Sequence, residues 1–397
     1  LQEHNLSGYL DIVVLPEFME HHSDVVNEGK KTNQSQINFV PISSKERAEL
    51  ASRSSFFSSR KLSFQEWNLF CKYAKLLQST QALLMYFDTY QLPILLGKAP
   101  PCPTSAIYFR PRFHYHEFDN HQYSLPERWH QKREKLHLTL VLRQRKLKTI
   151  FCLDPFAIKY LKRFKTSAKS IHLGDPVKTY QNYTLQPDEI RADLGIESKR
   201  KVFLLFGCLT RRKGLDQLLD ALSLLPSTIT HQICILLVGP ISPSVKLKIN
   251  PQIELLRQNK AIQVVICDRF ISDQEIKPYF EIADFILAPY QRHVGMSAIL
   301  ARAAEAQKPV LSSDYGLMGE LTRHYQLGLT VDSTVSSEIA QGITKLALSS
   351  PQEVCDFNQM KAFAEQNNPH RFAEVIFQNL SCDHWSKPTK TNNELSS

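Results

Sequence analysis

Three consecutive cations lie in the segment Phe206–Leu215 (FGCLTRRKGL), and their types and spacing favour anion binding. Arg211, Arg212 and Lys213 follow an apolar run that predicts a strand, and they precede a leucine-rich stretch that predicts a helix. Three adjacent cations at a helix N-terminus oppose the helix dipole unless an anion is present. Phosphate binds well at such a position. The segment therefore predicts a phosphate site, and a basic surface loop is the alternative.

A second segment, 284–319, predicts another anion site. An apolar run there predicts a strand at 284–289, and a loop then leads into a helix that begins near Met296. Backbone amides at a helix start bind anions, and a glycine lets a ligand approach the backbone closely. The alternative is that the glycines only make turns. The residues of this loop that we expect to contact a ligand are Tyr290, His293, Gly295, Met296 and Ser297.

Alternating strands and helices position both segments in the C-terminal half. A capping box at Ser272–Glu275 opens one of the helices. This alternation predicts a parallel, doubly wound sheet with its ligand beyond the carboxyl ends of the strands. The predicted strands are 202–206, 233–238, 262–267, 284–289 and 309–312. The predicted helices are 214–225, one in the polar segment that ends at about Lys260, 272–283, 296–306 and 318–325.

The N-terminal half is less regular but also fits an α/β layer. A long insert at 110–130 carries aromatic residues and histidines. The sequence leaves open whether a first strand is missing upstream of Leu1. The predicted strands are 11–15, 82–87, 105–109 and 149–153, and the predicted helices are 63–79, 127–143 and 155–164. The fold class that we predict is therefore α/β, with two Rossmann-like doubly wound domains.

Composition excludes several classes of protein. The chain has 397 residues, of which 43% are hydrophobic and 22% charged, so a mainly disordered chain is excluded. No two of the 13 glycines lie two apart, which removes the dinucleotide fingerprint. No two aspartates lie two apart either, so an Asp-x-Asp metal pair is absent. The eight cysteines form no Cys-x-x-Cys pair and are typical of a reducing compartment. We expect a soluble, cytoplasmic protein.

The net charge of +9 comes from the N-terminal half, where residues 1–185 hold 26 Lys and Arg against 16 Asp and Glu. Such a face attracts anionic lipid headgroups, nucleic acid or acidic polymers. No nucleic-acid-binding signature accompanies it, so we expect no nucleic acid as a partner. The basic, amphipathic segment Arg128–Lys148 is expected either to lie peripherally on an anionic membrane or to pack as a core helix with a cationic face.

The ordered series of these motifs resembles the donor-binding half of family 4 (group 1) retaining glycosyltransferases, which have the GT-B fold. The family's Gly-x-Leu-x-x-x-Lys-Gly segment corresponds to Gly207, Leu209, Lys213 and Gly214. The similarity covers about 200–335 and continues, in order and spacing, through Val238-Gly239, Ser272–Tyr279, Ala283–Pro289 and Lys308–Asp314. The resemblance implies two domains that face a cleft.

The resemblance implies transfer of a sugar from a nucleotide-diphosphate sugar to a glycan or lipid-linked acceptor, without a metal or another cofactor. Lys213 and Arg212 would stabilise the leaving diphosphate, and Arg110 and His114 would face the donor sugar. Phe270 would lie near the nucleobase. The other residues that the resemblance places around the donor are Gly207, Arg211, Gly239, Tyr290, His293, Gly295, Met296, Ser297, Arg302 and Glu305. The histidines and acids at 114–121 lack the regular spacing of a zinc site.

Three departures from the family pattern leave a second function open. Cys208 stands where the family usually has arginine, and Val294 and Arg302 stand where it carries two glutamates that contact the donor. Glu305 lies one helical turn beyond Arg302 and is a candidate substitute. The alternative function is a degenerate relative that keeps the fold and acts as a non-catalytic binding or scaffold partner.

The sequence also predicts how the chain is divided. We expect an N-terminal, acceptor-side domain at 1–185 and a donor-binding domain at 186–365. The apolar periodicity near the end predicts a helix within 366–382, which in this family crosses back to the first domain. Residues 383–397 lack such periodicity and are predicted to be a disordered tail.

Overall fold

The computed structural model describes residues 8–32, 36–51, 59–118, 123–178, 186–260 and 262–380. Two compact units divide the described chain. The first takes in the residues up to Phe109, Arg133–Leu173 and the chain from Ala373, and the second takes in Arg110–Lys132 and Gly174–Phe372. The insert thus groups with the second unit. The predicted tail at 383–397 lies outside the described residues.

The strands of the first unit are all parallel to their neighbours. The first two pair with each other, and the other four form a sheet in chain order. They are β1 (Leu10–Val14), β2 (Ile37–Pro41), β3 (Ala82–Leu84), β4 (Thr104–Tyr108), β5 (Leu147–Cys152) and β6 (Lys169–His172). The strands β4 and β5 are almost wholly buried, as their continuous apolar runs predict.

In the described residues of this part of the chain, seven α-helices alternate with these strands, and the sixth begins in the insert. They are α1 (Pro16–His21), α2 (Ser23–Thr32), α3 (Ser44–Ala51), α4 (Ser59–Leu76), α5 (Phe87–Leu96), α6 (Leu125–Val141) and α7 (Ala157–Leu161). Two predictions were too long. The strand predicted at 82–87 stops at Leu84, since Phe87 opens α5, and the helix predicted at 155–164 is only the short α7. Prediction also missed β2 and β6.

The second unit contains the parallel sheet that the alternation predicts, with a sixth strand, the last in the chain, that prediction missed. Its strands are β7 (Lys201–Phe206), β8 (Ile233–Val238), β9 (Gln263–Cys267), β10 (Phe285–Ala288), β11 (Val310–Ser313) and β12 (Gly328–Val331). Their order is β12-β11-β10-β7-β8-β9. Strand order reverses between β7 and β10, and parallel sheets bind ligands at the carboxyl ends of strands at such a point.

Helices pack against this sheet. The helix α9 (Leu215–Leu224) carries leucines at helical spacing that are fully buried in the same core as the side chains of β7 and β8. The capping box predicted at Ser272 is present, and it opens the fifth of these helices. In chain order, the helices after β6 are α8 (Pro187–Asp193), α9 (Leu215–Leu224), α10 (Ser227–Thr230), α11 (Pro243–Lys260), α12 (Asp273–Ile282), α13 (Ala298–Glu305), α14 (Gly316–His324), α15 (Ser336–Leu348), α16 (Pro351–Val354), α17 (Phe357–Gln366) and α18 (Pro369–Leu380).

The last helix, α18, confirms the helix predicted near the C-terminus. Its residues from Ala373 onward group with the first unit. None of the described helices combines the length and apolar character needed to cross a membrane.

Candidate functional site

Two glycines bring the loops after β7 and β8 into close backbone contact. Gly207 has φ +103° and Gly239 has φ +126°, both in the region that favours glycine. A Cβ atom on Gly239 would lie 2.3 Å from the carbonyl oxygen of Gly207. Any side chain at position 239 would therefore push the two loops apart. The predicted role of both glycines in donor binding remains a prediction.

The three cations form a single 3-10 turn, Arg211–Lys213, between β7 and α9. Gly214 ends the turn with φ +76°, and a Cβ there would lie 2.0 Å from the carbonyl oxygen of Pro289. The three cations differ in burial: Arg211 and Arg212 are exposed, whereas the Lys213 residue is only 7% exposed.

Lys213 lies at the switch point, the place where the strand order reverses between β7 and β10. Groups from two loops hold its side chain there. Its Nζ donates a hydrogen bond to the carbonyl oxygen of Phe206 at 2.7 Å and another to the hydroxyl of Tyr290. It also lies 4.4 Å from the centre of the Tyr290 ring. Ser297 Oγ donates to the same Tyr290 hydroxyl at 3.3 Å. These contacts fix the ammonium group between the ends of β7 and β10.

Within the described part of the chain, no carboxylate forms an ion pair with Lys213. A buried charge is costly unless an opposite charge compensates it. Neutral oxygens and an aromatic ring compensate an ammonium group only in part. The environment of Lys213 thus suits an anionic ligand, as the sequence predicts for this segment.

His293 lies beside the cationic turn and contacts two groups of fixed polarity. Its Nε2 lies 3.3 Å from the carbonyl oxygen of Met296, and its Nδ1 lies 3.2 Å from Nη1 of Arg212. A carbonyl only accepts and a guanidinium only donates, so His293 is neutral with its proton on Nε2. Burial, together with the nearby positive charge of Arg212, lowers the pKa of His293 to about 4.

Acidification should therefore destabilise the fold through His293. An imidazole has an unfolded pKa of about 6.5, and the lower pKa of His293 in the folded state means that folding is opposed by protonation, so stability is lost as pH falls below the unfolded value. Between pH 7 and pH 5 the expected loss from this group is about 2 kcal/mol. Chemical unfolding of the parent and of His293→Gln at both pH values measures it. The variant should lose less stability on acidification, and equal losses would contradict the assignment.

The insert contributes Tyr115, a residue that the sequence analysis did not select. Its side chain is fully buried, and its hydroxyl accepts a hydrogen bond from the Gly295 backbone N–H at 3.0 Å. The ring covers Gly316, where a Cβ would lie 2.5 Å from Cε2 of Tyr115. The Gly295 amide, predicted to bind phosphate, thus has an acceptor from the protein itself in this structure.

Glu127 fixes the start of α6 to the same loops. Its carboxylate accepts hydrogen bonds from Arg292 at 2.8 Å and from the Tyr315 hydroxyl at 3.1 Å. Burial alone would raise the pKa of Glu127, but the bonds from Ser124 and Arg292 outweigh it and lower the pKa to about 2. The carboxylate is therefore ionised at neutral pH and committed to these partners.

Two further predicted residues, Arg302 and Glu305, are on helix α13. The helix begins at Ala298 rather than near Met296, because Ser297 is its extended N-cap residue. Nη1 of Arg302 lies 3.5 Å from the carbonyl oxygen of Lys178, and Glu305 is exposed at the end of the helix. Their predicted contact with the ribose remains a prediction.

Three other predicted residues differ widely in exposure. His114 is 1% exposed and packs among the rings of Phe113, Tyr115 and Phe118. Arg110 is exposed, and its charge contributes to the lowered pKa of His293.

Phe270 follows β9 and is 77% exposed, which leaves its face open to a planar ligand. Two of the histidines and acids at 114–121, Asp119 and His121, lie outside the described residues.

Sequence reasoning missed four residues that contact the loops of this candidate site: Tyr115, Glu127, Arg292 and Tyr315. The aromatic composition of the insert was a visible signal, but its docking place depends on tertiary contacts. Arg292 has φ +44°, an uncommon conformation for a residue other than glycine. Strain of this kind is frequent at functional sites.

Comparison with known proteins defines the class to which this arrangement belongs. Residues 186–368 match the family model described as Glycosyl transferases group 1. This part of the chain is therefore a group 1 glycosyltransferase domain, and the protein is a glycosyltransferase enzyme. The match confirms the resemblance to group 1, while family 4 and the retaining mechanism remain predictions. No curated protein matches the sequence significantly.

Solved structures confirm the GT-B type of α/β fold at low sequence identity. A trehalose-phosphate synthase from Burkholderia xenovorans, in complex with glucose-6-phosphate, has TM-score 0.65 and 10% identity over 94% of this chain and 100% of its own. HepE from Anabaena, in complex with UDP, has TM-score 0.61 and 14% identity over 94% and 99%. A sucrose-phosphate synthase from Thermosynechococcus elongatus has TM-score 0.58 and 17% identity over 81% and 78%.

Proposed function

We propose that this glycosyltransferase moves a sugar from a nucleotide-diphosphate sugar to a glycan or lipid-linked acceptor, with retention and without a metal. The observation that carries the proposal is Lys213, a buried cation without an acidic partner in the described chain, at the switch point of a glycosyltransferase domain. The complex of the similar structure HepE with UDP supports the donor class.

The chemistry requires stabilisation of the leaving diphosphate. Breaking the bond between the anomeric carbon and the diphosphate leaves negative charge on the diphosphate and an oxocarbenium-like sugar. Fixed positive groups that face the diphosphate lower this barrier most. Lys213 supplies a held ammonium group, and Arg212 adds an exposed guanidinium beside it. The leaving phosphate can take the acceptor's proton, so no strong protein base is required.

A mechanism without a strong protein base suits this site, because the carboxylates of the family pattern are replaced. Val294 and Arg302 replace the acids of the family pattern, and Glu127 is committed to Arg292 and Tyr315. In the proposed binding mode the base lies near Phe270, and the ribose lies toward Arg302. Arg110 and His114 act on the sugar side. A cytoplasmic location, peripheral at a membrane face, fits a lipid-linked acceptor.

The second candidate function is a non-catalytic binding partner that keeps the fold. Loss of both family glutamates favours it, as does the Tyr115 hydroxyl on the Gly295 amide. This candidate predicts ligand binding without turnover.

A thermal-shift panel of nucleotide sugars on the full-length protein tests donor binding. The proposal predicts that at least one nucleotide-diphosphate sugar raises the melting temperature more than its free sugar or its nucleoside does, since the diphosphate supplies the charge. A panel in which no diphosphate compound stabilises the protein would contradict the proposed donor site.

The Tyr115 hydroxyl should compete with the diphosphate for the Gly295 amide. In Tyr115→Phe the ring still packs on Gly316, but the hydroxyl that accepts from Gly295 is gone. A neutral hydrogen bond contributes roughly 0.5–1.5 kcal/mol, so nucleoside diphosphate should bind about 2–12-fold more tightly. Calorimetric titration measures the change. Weaker binding would show instead that the hydroxyl assists the ligand.

A further inference from the structure

Helix α6 carries large apolar side chains on its outer side. Leu125 is 82% exposed, Trp129 and Leu136 are each 58% exposed, and Leu140 is 36% exposed. At about 100° per residue, these four positions fall within roughly 60° of one another around the helix. They form one stripe along α6, whereas Leu138 and Val141 on the other side are fully buried.

Cations surround this stripe. Lys132 lies about 20° outside its angular range and is exposed, and Arg128 and Lys135 lie farther out on the same side and are exposed too. Arg133 lies at the other edge and is partly exposed. We call the exposed stripe together with Arg128, Lys132, Arg133 and Lys135 the outer face of α6.

The acidic residues of α6 are on its inner side. Glu127 accepts hydrogen bonds from Arg292 and Tyr315, and Glu134 accepts one from the Tyr108 hydroxyl. The helix has no other carboxylate. The outer face therefore combines leucine, tryptophan and cations, and no acid of the helix opposes an anionic surface.

We propose that the outer face of α6 lies on the surface of an anionic lipid bilayer. Apolar side chains at the centre of the face enter the boundary between headgroups and acyl chains, and the flanking Lys and Arg side chains reach the phosphates. Tryptophan favours this boundary. The helix is too short and too polar to span the membrane, so it rests in the plane of the surface.

The combination of cations and apolar side chains favours an anionic lipid surface over the other polyanions. The phosphates of a nucleic acid would contact the cations, but they would leave the stripe of three leucines and a tryptophan exposed to water. An anionic bilayer satisfies both kinds of side chain at once. The proposal does not rest on any residue of the donor site, although Glu127 joins the inner side of the same helix to the loop at Arg292.

Vesicle flotation of the full-length protein tests the proposal. The probes are vesicles of phosphatidylcholine alone and vesicles that also contain phosphatidylglycerol. The parent should bind the anionic vesicles at least tenfold more tightly than the neutral ones. The double variant Trp129→Ser/Leu136→Ser and the double variant Lys132→Glu/Lys135→Glu should each weaken binding to anionic vesicles at least tenfold.

A matched control uses exposed residues of the same types elsewhere. Leu247 is 81% exposed on α11, and Lys345 is exposed on α15. The variant Leu247→Ser/Lys345→Glu should bind anionic vesicles within twofold of the parent. Melting temperatures of all variants identify any loss of fold, and exposed positions should leave them close to the parent value.

Tryptophan fluorescence gives a second readout that does not depend on the double variants. Trp67 is fully buried, and the measurement is made in a Trp385→Phe background, so Trp129 should supply a blue shift of emission when anionic vesicles are added. The conservative Trp129→Phe variant should still bind but should lose the shift. Equal binding of parent and both double variants, or a cation-dependent oligonucleotide affinity that exceeds vesicle affinity, would overturn the proposal.

Discussion

Lys213→Ala is expected to weaken nucleoside diphosphate binding by about 1.5–3 kcal/mol, the usual effect of losing a charge-assisted hydrogen bond. The reason is that the Lys213 ammonium is buried and fixed by Phe206 and Tyr290 rather than by an acid. Calorimetry at constant salt measures the change. Lys345→Ala, an exposed lysine near the end of α15, is the matched control and should leave the affinity unchanged.

Unchanged affinity in Lys213→Ala, with an unchanged melting temperature, would show that the 3-10 turn is only a basic surface loop. Removing Lys213 also relieves a buried charge, so the variant is expected to fold at least as well as the parent. Weakened binding without loss of stability is therefore a result that a purely structural lysine would not give.

Gly295→Val is expected to abolish nucleoside diphosphate binding, whereas Ser297→Ala should change it little. Gly295 is buried and has φ +94°, which a branched side chain rarely adopts. Its Cβ substituents would also obstruct the approach of a diphosphate to the amides before α13. Among the described residues, the Ser297 side chain forms a hydrogen bond only with the Tyr290 hydroxyl, at 3.3 Å.

A paired titration of these two variants measures the difference. Far-ultraviolet circular dichroism and the melting temperature separate a blocked site from a lost fold. If folded Gly295→Val binds as tightly as the parent, the ligand does not pass over this helix start and the donor-site assignment fails with it.

The core strands of the second unit could be predicted because both of their faces are buried. Each of β7, β8 and β10 is a continuous apolar run, and a run of that length between turn residues has few other interpretations. By contrast, β12 (Gly328–Val331) is short, only partly buried and begins at a glycine, so its sequence resembles a loop.

The inward direction of Lys213 could not be read from the sequence. Arg211, Arg212 and Lys213 are chemically similar, and only the 3-10 turn and the left-handed Gly214 separate them. The family resemblance singles out Lys213 among the three, and its role at the diphosphate stays a prediction. Its burial depends on Tyr290, which is far away in sequence.

The docking of the insert was beyond sequence reasoning for a similar reason. The bonds of Tyr115 to Gly295 and of Glu127 to Arg292 join residues more than a hundred positions apart. No local pattern of hydrophobicity specifies such pairs. Composition alone marked the insert as unusual, and only the tertiary structure gives it a place.

Release of nucleoside diphosphate from a nucleotide sugar, followed for the parent and for Lys213→Ala, tests the central claim most directly. The donor is the compound that stabilises the protein most in the thermal-shift panel. We predict measurable transfer or slow hydrolysis by the parent and a loss of about 100-fold or more in the variant, typical of removing a group that stabilises transition-state charge. A parent that binds the donor but releases no diphosphate with any acceptor class, or a variant as fast as the parent, would contradict the account.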